Sequence, residues 1–425
     1  STSPIEDSPR DDSAACRTSS QAGLPVEVGE TLGSKRVVFL VNFVAPNHVE
    51  VLRELASIVG ELIVLSSVDM ESNRSFDRQL DGLNVVVQKT LTRTKQVTHP
   101  SGYREINYVH VPLDTKKKLR EFSPDAVVSL EMGMRSLQSW WHCRQSSVPW
   151  VLAVYASERS EAGRGKIRDR MRRFLLKRSD VTTFNGPSCE RLLHGLGADP
   201  EKLMPWDYAA DPRKLPGTQM DELAGSHNAS DARGDSLALR LLTIGQLSTR
   251  KGVMVARDGI KRWCETRSDR HIIWDVVGDG PLAKMMARED LPANLELRMR
   301  GNQPAERLAD FYRACDWFWF PTMGDEWGLV VDEALHWGRP VLGSVHSQAA
   351  TTLIQPGMNG FLYDPEAADS NSLSHAMDRI FETSLQQWSS PMRRSQIIES
   401  VRVRTPRRSA EQLAVAIYQA MQNRR

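Results

Sequence analysis

The feature of this sequence that most constrains its fold is an alternation of short apolar runs with longer stretches of helical spacing. The runs are rich in Val, Leu, Ile and Phe, and the first half of the chain contains them at residues 37–44, 62–66 and 126–130. Strands that are buried on both faces read as continuous apolar runs. Strands that alternate with helices predict βαβ units around a parallel sheet, so the predicted fold class is α/β.

The alternation stops between residues 212 and 236, where the sequence is polar, rich in small residues and without apolar periodicity. Such a stretch indicates a linker or a surface insertion. Apolar runs resume at 238–244 and 272–277. We therefore predict two Rossmann-like doubly wound parallel-sheet domains. The predicted segments are an N-terminal domain at 35–211, a C-terminal domain at 237–400, and a helix within 401–425 that packs back at the domain junction.

The ends of the chain and its composition limit the functional classes. Residues 1–34 are rich in Ser, Asp, Pro and Glu, so we expect a disordered tail and not a signal peptide. The longest apolar stretch, residues 37–45, is far shorter than the roughly 20 residues of a membrane-spanning helix. Five scattered cysteines without CxxC spacing argue against a disulfide framework or a zinc module and favour a cytoplasmic protein. A formal charge of +2 argues against nucleic acid as a partner.

Ligands of doubly wound sheets bind at the carboxyl ends of the strands, so the loops there are the first candidates for a site. The loop at residues 245–252, GQLSTRKG, has two glycines around the adjacent cations Arg250 and Lys251 and precedes a predicted helix. Backbone N–H groups at a helix start, together with two cations, suit a diphosphate. The alternative interpretation is a solvated basic turn.

A second loop, GDGPLA from Gly278, follows the apolar run 272–277 and fits the GxGxx(G/A) pattern of dinucleotide sites. A nicotinamide enzyme would carry this loop in its first βαβ unit, with an acidic residue at the end of the following strand. Here Glu296 lies inside the predicted strand 295–299. The pattern favours a tight structural turn, and an NAD-dependent oxidoreductase remains as an alternative.

The stretch 321–345 concentrates three carboxylates near one predicted strand end. Asp325 and Glu326 lie in a loop, and Glu333 falls in the second turn of a helix that begins near Gly328. Carboxylates accept hydrogen bonds from vicinal hydroxyls, so this arrangement predicts recognition of a sugar or a ribose. The alternative is acidic charge favoured by the helix dipole.

This stretch resembles the nucleotide-sugar motif of the group 1 (family 4) retaining glycosyltransferases of the GT-B type. The family pattern is an acidic residue, seven residues and then Glu, with Gly three positions after the acid, which selects Asp325, Gly328 and Glu333. GQLSTRKG resembles the family's diphosphate loop, VVGDGP its second strand and turn, and residues 339–365 its closing region. The resemblance is strong over about 241–376 and looser over 37–211.

The resemblance implies two domains that face each other across a cleft, with the donor on the C-terminal domain and the acceptor on the N-terminal domain. The implied reaction moves a sugar from a nucleoside diphosphate, UDP being the commonest choice in the family, to a hydroxyl of a glycan or lipid-linked acceptor. It would retain the anomeric configuration, need no metal or other cofactor, and serve polysaccharide or cell-surface glycan biosynthesis. A catalytically silent, sugar-nucleotide-binding relative is the alternative.

Carried over by position, Glu333 binds the donor ribose, Asp325 the transferred sugar and Lys251 the diphosphate. The remaining implied donor contacts are Gly245, Gln246, Arg250, Gly278, Glu326, Gly328, Leu329 and Val330. Two positions depart from the family, because many members have Glu at Asp325 and Arg at Gln246. Because of these two departures, a catalytically silent, sugar-nucleotide-binding protein remains the alternative.

Acceptor contacts are expected from loops of the first half. The candidates are Asn47 and His48 after the first strand, Glu131 after the strand at 126–130, and Ser188, for which a helix cap is the alternative. Residues 164–178 combine dense basic charge with apolar residues at helical spacing. Such charge usually marks a solvated helix face, and the alternative is peripheral contact with the inner face of a membrane. No metal-ligating spacing is evident.

Overall fold

The computed structural model describes residues 23–71, 80–100, 102–211, 238–288, 290–369, 372–383 and 385–424. The tail predicted before residue 23 and the linker predicted at 212–236 lie outside these residues. Within them, two separate parallel sheets carry helices on their faces, so the predicted α/β class with two Rossmann-like domains is confirmed.

The N-terminal domain is built on a sheet in the order β3-β2-β1-β6-β7-β8-β9, in which the pairs are parallel. Its strands, with the antiparallel hairpin β4–β5, are β1 (Arg36–Val41), β2 (Glu61–Ser66), β3 (Asn84–Val87), β4 (Thr90–Thr98), β5 (Arg104–Pro112), β6 (Ala126–Leu130), β7 (Trp150–Ala153), β8 (Val181–Phe184) and β9 (Leu203–Pro205). Its helices are α1 (Val26–Leu32), α2 (Pro46–Ala56), α3 (Thr115–Phe122), α4 (Met134–Ser146), α5 (Lys166–Leu176) and α6 (Pro187–Gly195).

The C-terminal domain has a parallel sheet in the order β12-β11-β10-β13-β14-β15. The strands are β10 (Leu239–Ile244), β11 (Ile272–Val277), β12 (Leu295–Gly301), β13 (Trp317–Phe320), β14 (Val341–Ser344) and β15 (Gly360–Tyr363). The helices that follow α6 are α7 (Val253–Glu265), α8 (Ala283–Met286), α9 (Ala305–Ala314), α10 (Leu329–His336), α11 (Gln348–Leu353), α12 (Leu373–Glu382), α13 (Leu385–Ser389), α14 (Pro391–Glu399) and α15 (Pro406–Asn423).

In both sheets the strand order reverses next to the first strand, between β1 and β6 and between β10 and β13. Loops on the two sides of such a switch point separate and leave a crevice at the carboxyl ends of the strands. The four loops that follow β1, β6, β10 and β13 therefore border the natural ligand site. They include most of the residues that the sequence selected.

The prediction of disorder up to residue 34 is wrong for α1. Val28 and Leu32 are 4% and 0% exposed and join the apolar core of the N-terminal domain. These two residues are one helical turn apart, so they form a small apolar face that the polar composition of the whole segment conceals. Glu27 also accepts a hydrogen bond from the Tyr418 hydroxyl of α15.

The last helix, α15, returns to the N-terminal domain. Leu413, Ala416, Ile417 and Ala420 are fully buried in the same core as Phe39 of β1. These positions repeat at three- and four-residue intervals, so they form the apolar stripe expected of a helix on a sheet. The chain thus crosses between the domains a second time. Among the described residues, no helix is both long enough and apolar enough to cross a bilayer.

We predict that Leu413→Ala destabilises the N-terminal domain by about 2–5 kcal/mol, because it removes buried methyl groups from a packed core. Urea unfolding followed by circular dichroism measures the change. Gln419→Ala is the matched control on an exposed position of the same helix and should cost less than about 0.5 kcal/mol. An equal effect of both substitutions would contradict the packing described for α15.

Candidate functional site

The loops that follow β10 and β13 touch along their backbones. Met323 N–H and the Thr322 hydroxyl both donate to the Arg250 carbonyl, at 2.8 and 3.1 Å. Gly252 ends the first loop with φ 68°, and a Cβ there would lie 2.0 Å from the Pro321 carbonyl oxygen. Only glycine allows this approach. The contact fixes Arg250 and Lys251 beside the acidic loop.

Asp325 lies between these two cations. Lys251 Nζ is 2.5 Å and Arg250 Nη1 3.3 Å from Asp325 Oδ2. Burial alone would raise the pKa of Asp325, but the charges of Lys251 and Arg250 outweigh it and hold the pKa below its ordinary value. The carboxylate is therefore ionised at neutral pH. Lys251 also lies over the Phe320 ring, 5.0 Å from its centroid.

Glu326, the next residue, has a different electrostatic environment. Burial, reinforced by the negative charge of Glu131, raises its pKa to about 7. Its carbonyl oxygen accepts hydrogen bonds from both domains, from Asn185 Nδ2 of the N-terminal domain at 3.1 Å and from Gln348 Nε2 of the C-terminal domain at 2.7 Å. Two adjacent acidic residues thus differ in protonation near neutral pH.

Glu333 lies on α10, which begins directly after Gly328. Gly328 has φ 106°, and a Cβ at this position would lie 2.5 Å from Phe320 Cε1. Tyr312 donates its hydroxyl to Glu333 Oε2 at 2.9 Å. Burial raises the pKa of Glu333 to about 7, although the Tyr312 hydrogen bond acts in the opposite direction. The half-buried Leu329 and Val330 complete the first turn of the helix.

The glycines of the GDGPLA turn have a structural explanation. A Cβ on Gly278 would lie 2.0 Å from the Gly245 carbonyl oxygen, and one on Gly280 would lie 2.5 Å from that of Leu247. Leu247 N–H donates to the Asp279 carbonyl at 2.9 Å. The turn therefore packs against the backbone of the loop that carries Arg250 and Lys251. Gln246, within that loop, is exposed.

On the N-terminal side of the cleft, Glu131 follows β6 with an unusual backbone φ of 71°. Asn42 Nδ2 donates to Glu131 Oε2 at 2.8 Å, and Arg135 Nη1 donates to Asn42 Oδ1 at 2.5 Å. Sequence reasoning missed Asn42 and Arg135. The available signal was the polar Asn42 that interrupts the first apolar run.

His48 lies at the start of α2 and is 7% exposed. Its ring stacks on Tyr155 and Tyr208, with centroids 5.7 and 6.4 Å away. Burial lowers its pKa to about 4, and neither ring nitrogen has a hydrogen-bond partner among the described residues. His48 is therefore neutral at physiological pH. Its neighbour Asn47 is half-buried.

Ser188 and the basic segment 164–178 complete the sequence candidates. Ser188 Oγ accepts from Glu158 N–H at 3.0 Å and donates to Glu158 Oε2 at 3.1 Å, whereas α6 has no side-chain cap. Most apolar side chains of α5 pack against the core of the N-terminal domain. Ile167 is the exception among them, because its side chain is 89% exposed. The charge of Arg164 counteracts the raised pKa of Glu326, so the first turn of this segment borders the cleft.

Direct hydrogen bonds join the domains beside these groups. Arg159 Nε donates to the Met323 carbonyl at 2.6 Å. Gln348 donates to the Ala156 carbonyl at 3.1 Å and accepts from Cys189 N–H at 2.8 Å. These hydrogen bonds fix the positions of the two domains relative to each other close to Asp325.

The C-terminal domain of the chain matches a known protein family in sequence. Residues 238–383 match the sequence model of the family described as glycosyl transferases, group 1. A D-inositol 3-phosphate glycosyltransferase of Corynebacterium kroppenstedtii is 28% identical over 195 residues, which cover 42% of this chain and 43% of that protein. This alignment therefore spans less than half of the curated relative.

Two solved structures agree in fold over almost the whole chain. Anabaena HepE, solved in complex with UDP and glucose, has a TM-score of 0.63 at 15% identity, covering 90% of this chain and 99% of that chain. Sucrose-phosphate synthase from Thermosynechococcus elongatus has a TM-score of 0.64 at 15% identity, covering 91% and 98%. These two similarities show that the fold is that of GT-B proteins. The match over residues 238–383 confirms the resemblance to group 1 glycosyltransferases in that part of the chain.

We predict that the stability of the protein falls between pH 5 and pH 8 partly because of Glu333. A carboxyl whose folded-state pKa is raised to about 7 from an ordinary 4.5 stabilises the fold below pH 4.5, and this contribution is lost as the pH rises through 7. Glu333→Gln should therefore raise the unfolding midpoint more at pH 8 than at pH 5. Scanning calorimetry at both pH values measures this, with the exposed Glu399→Gln as control. An unchanged pH dependence would contradict the assignment.

Proposed function

We propose that this chain is a retaining glycosyltransferase that moves a sugar from a nucleoside diphosphate to a hydroxyl of a glycan or lipid-linked acceptor. The observation that carries the proposal is the cluster of Lys251, Arg250 and ionised Asp325 at the switch point of the C-terminal sheet. In this proposal residues 237–400 bind the donor and residues 35–211 bind the acceptor. The segment at 212–236 is the proposed link between them.

Lys251 and Arg250 are the proposed diphosphate ligands. Both cations lie side by side against Asp325 Oδ2, and their N–H groups are donors of the kind that diphosphate oxygens accept. Main-chain N–H groups of Gly328, Leu329 and Val330 open α10, and the start of a helix favours negative charge. The remaining proposed donor contacts are made by the loop backbone at Gly245, Gln246 and Gly278.

Glu333 is the proposed ribose ligand. Its Oε2 accepts the Tyr312 hydroxyl, which fixes the carboxyl group, and the proposal gives Oε1 to the ribose hydroxyls. Asp325 would bind hydroxyls of the transferred sugar, with Glu326 as its neighbour in the loop. A carboxylate in a water-poor cleft discriminates well between substrates with and without hydroxyls, because an unpaired buried polar group is costly.

The acceptor is assigned to the N-terminal wall, where Glu131, Asn47, His48 and Ser188 are the candidate contacts. Neutral His48 and ionisable Glu131 lie at the ends of the loops after β1 and β6. A glycan hydroxyl can hydrogen-bond to both kinds of group. Residues 164–178 are the proposed peripheral contact with the inner face of a cytoplasmic membrane, with exposed Ile167 as the apolar anchor.

In the proposed step, the bond from the anomeric carbon to the donor phosphate oxygen breaks, and a bond to the acceptor oxygen forms on the same face. The acceptor hydroxyl proton passes to the leaving phosphate oxygen. Lys251 and Arg250 compensate the charge on the departing nucleoside diphosphate, so this step needs no metal ion. UDP is the proposed donor nucleotide, supported by the UDP bound in the structurally similar Anabaena HepE.

The first test of the function is a binding panel of UDP, GDP, ADP, their glucose conjugates and NAD, each with EDTA or magnesium. We predict that one nucleoside diphosphate family, with UDP preferred, raises the unfolding midpoint without metal. At about 100 times its dissociation constant a ligand adds about 2.7 kcal/mol of stability. Glu333→Gln should abolish the shift, whereas Glu296→Gln, in an exposed acid of the same domain, should not. A shift with NAD alone would favour an oxidoreductase.

The second test separates binding from turnover. Lys251→Ala should lower kcat for release of the nucleoside diphosphate about 10²–10³-fold, because it removes a cation from the leaving group. Lys261→Ala is the matched control, since Lys261 pairs with Asp290 at 2.9 Å in the same domain. Equal activity of both variants would contradict the role of Lys251. Nucleotide binding by the wild type without any sugar transfer or donor hydrolysis would favour the silent relative.

A further inference from the structure

A second polar cluster lies beside the candidate donor site at the ends of β14 and β15. His346 follows β14, and Asp364 and Glu366 follow β15. His346 Nε2 is 3.2 Å from Asp364 Oδ1 and 3.1 Å from Glu366 Oε2. These groups offer three ligand atoms within 4.8 Å of one another. Sequence spacing gave no sign of this cluster, because its members lie in the loops after two separate strands.

The buried imidazole is the member of the cluster that most needs a partner. The side chain of His346 is 10% exposed, and within the part of the chain that the structure describes Nε2 has two carboxyl oxygens beside it but no hydrogen bond of good angular geometry. A buried nitrogen without a well-aligned partner costs stability. A cation placed between Nε2 and the two oxygens would give the nitrogen a partner, although Asp364 Oδ1 already accepts from Glu366 N–H at 2.9 Å.

The two nitrogen-to-oxygen separations are compatible with atoms that share one metal ion. Zinc lies about 2.0–2.2 Å from imidazole nitrogen and carboxylate oxygen, so neighbouring ligands around it are about 3–3.5 Å apart. The nitrogen-to-oxygen distances of 3.2 and 3.1 Å fall in this range. Imidazole as a ligand favours zinc and similar metals over magnesium and calcium.

We propose that His346, Asp364 and Glu366 form a binding site for a divalent transition-metal ion, Zn²⁺ in the first place, with water in the remaining position. The site is independent of the proposed sugar transfer, and no step of that reaction passes through the ion. Its position is still relevant, since Asp325 N–H donates to the His346 carbonyl at 3.0 Å. A bound ion would therefore hold the backbone next to Asp325.

Arg159 competes for one of the ligands. Its Nη2 lies 2.9 Å from the same Glu366 oxygen that flanks His346, whereas its Nε donates to the Met323 carbonyl. Binding of a cation must weaken the first contact, because both positive groups need that carboxylate. Arg159→Met should therefore strengthen metal binding, by about 3-fold or more. A purely structural His346 contact would show no such gain.

The experiment uses the full chain, stripped with a chelator and dialysed at pH 7.5. Binding of Zn²⁺ is measured by calorimetry, and Co²⁺ serves as a probe through its visible absorption, which reports nitrogen and oxygen ligation. We expect one site, a Co²⁺ spectrum that Zn²⁺ abolishes, and no competition from Mg²⁺. His346→Gln and Glu366→Gln should each weaken binding at least 10-fold. His194→Gln is the control, because His194 lies 4.0 Å from a single carboxylate, Glu190.

Two results would overturn the proposal. One is no saturable binding of Zn²⁺ or Co²⁺ by the wild-type protein up to about 0.1 mM. The other is binding that neither His346→Gln nor Glu366→Gln reduces, which would locate the metal elsewhere in the chain. Glu366 is 44% exposed at its side chain, so its substitution leaves the core intact. Unfolding midpoints without metal check that both variants are folded.

Discussion

The ionised carboxylate of Asp325, held between Lys251 and Arg250, is the interaction on which the rest of the candidate site depends. A carboxylate withdrawn from water is tolerated only with opposite charge and hydrogen bonds around it. The two loops that supply these groups meet at the switch point of the C-terminal sheet. Glycine at position 252 is what lets their backbones come close enough for the ion pairs to form.

From that contact the site extends outward in both directions. On one side, α10 begins directly after Gly328 and places Glu333 where it accepts a hydrogen bond from the Tyr312 hydroxyl. Toward the other domain, Gln348 and Arg159 connect the acidic loop to the N-terminal wall. The site is therefore a property of both domains, and a conformational change between them would alter the surroundings of Glu326 more than those of Glu333.

The sequence predicted the fold class and the loops that meet, because buried parallel strands have a recognisable apolar pattern and their carboxyl ends share one edge. It could not predict contacts that depend on orientation. Asn42 is 89 residues from Glu131 and 93 residues from Arg135 in sequence, and the three form one hydrogen-bonded group only after β1 and β6 have paired. The helix α1 was missed because its apolar face is two residues wide. The partners of His346 were hidden for the same reason as those of Glu131.

The central claim is that a nucleoside diphosphate binds where the loops after β10 and β13 meet. Hydrogen exchange of the full chain with and without saturating UDP, followed by mass spectrometry, tests it most directly. The account predicts slower exchange in two segments, residues 245–252 and 325–333, with the edge strand β3 unaffected. Protection confined to other segments, or none in these two at saturation, would contradict the account.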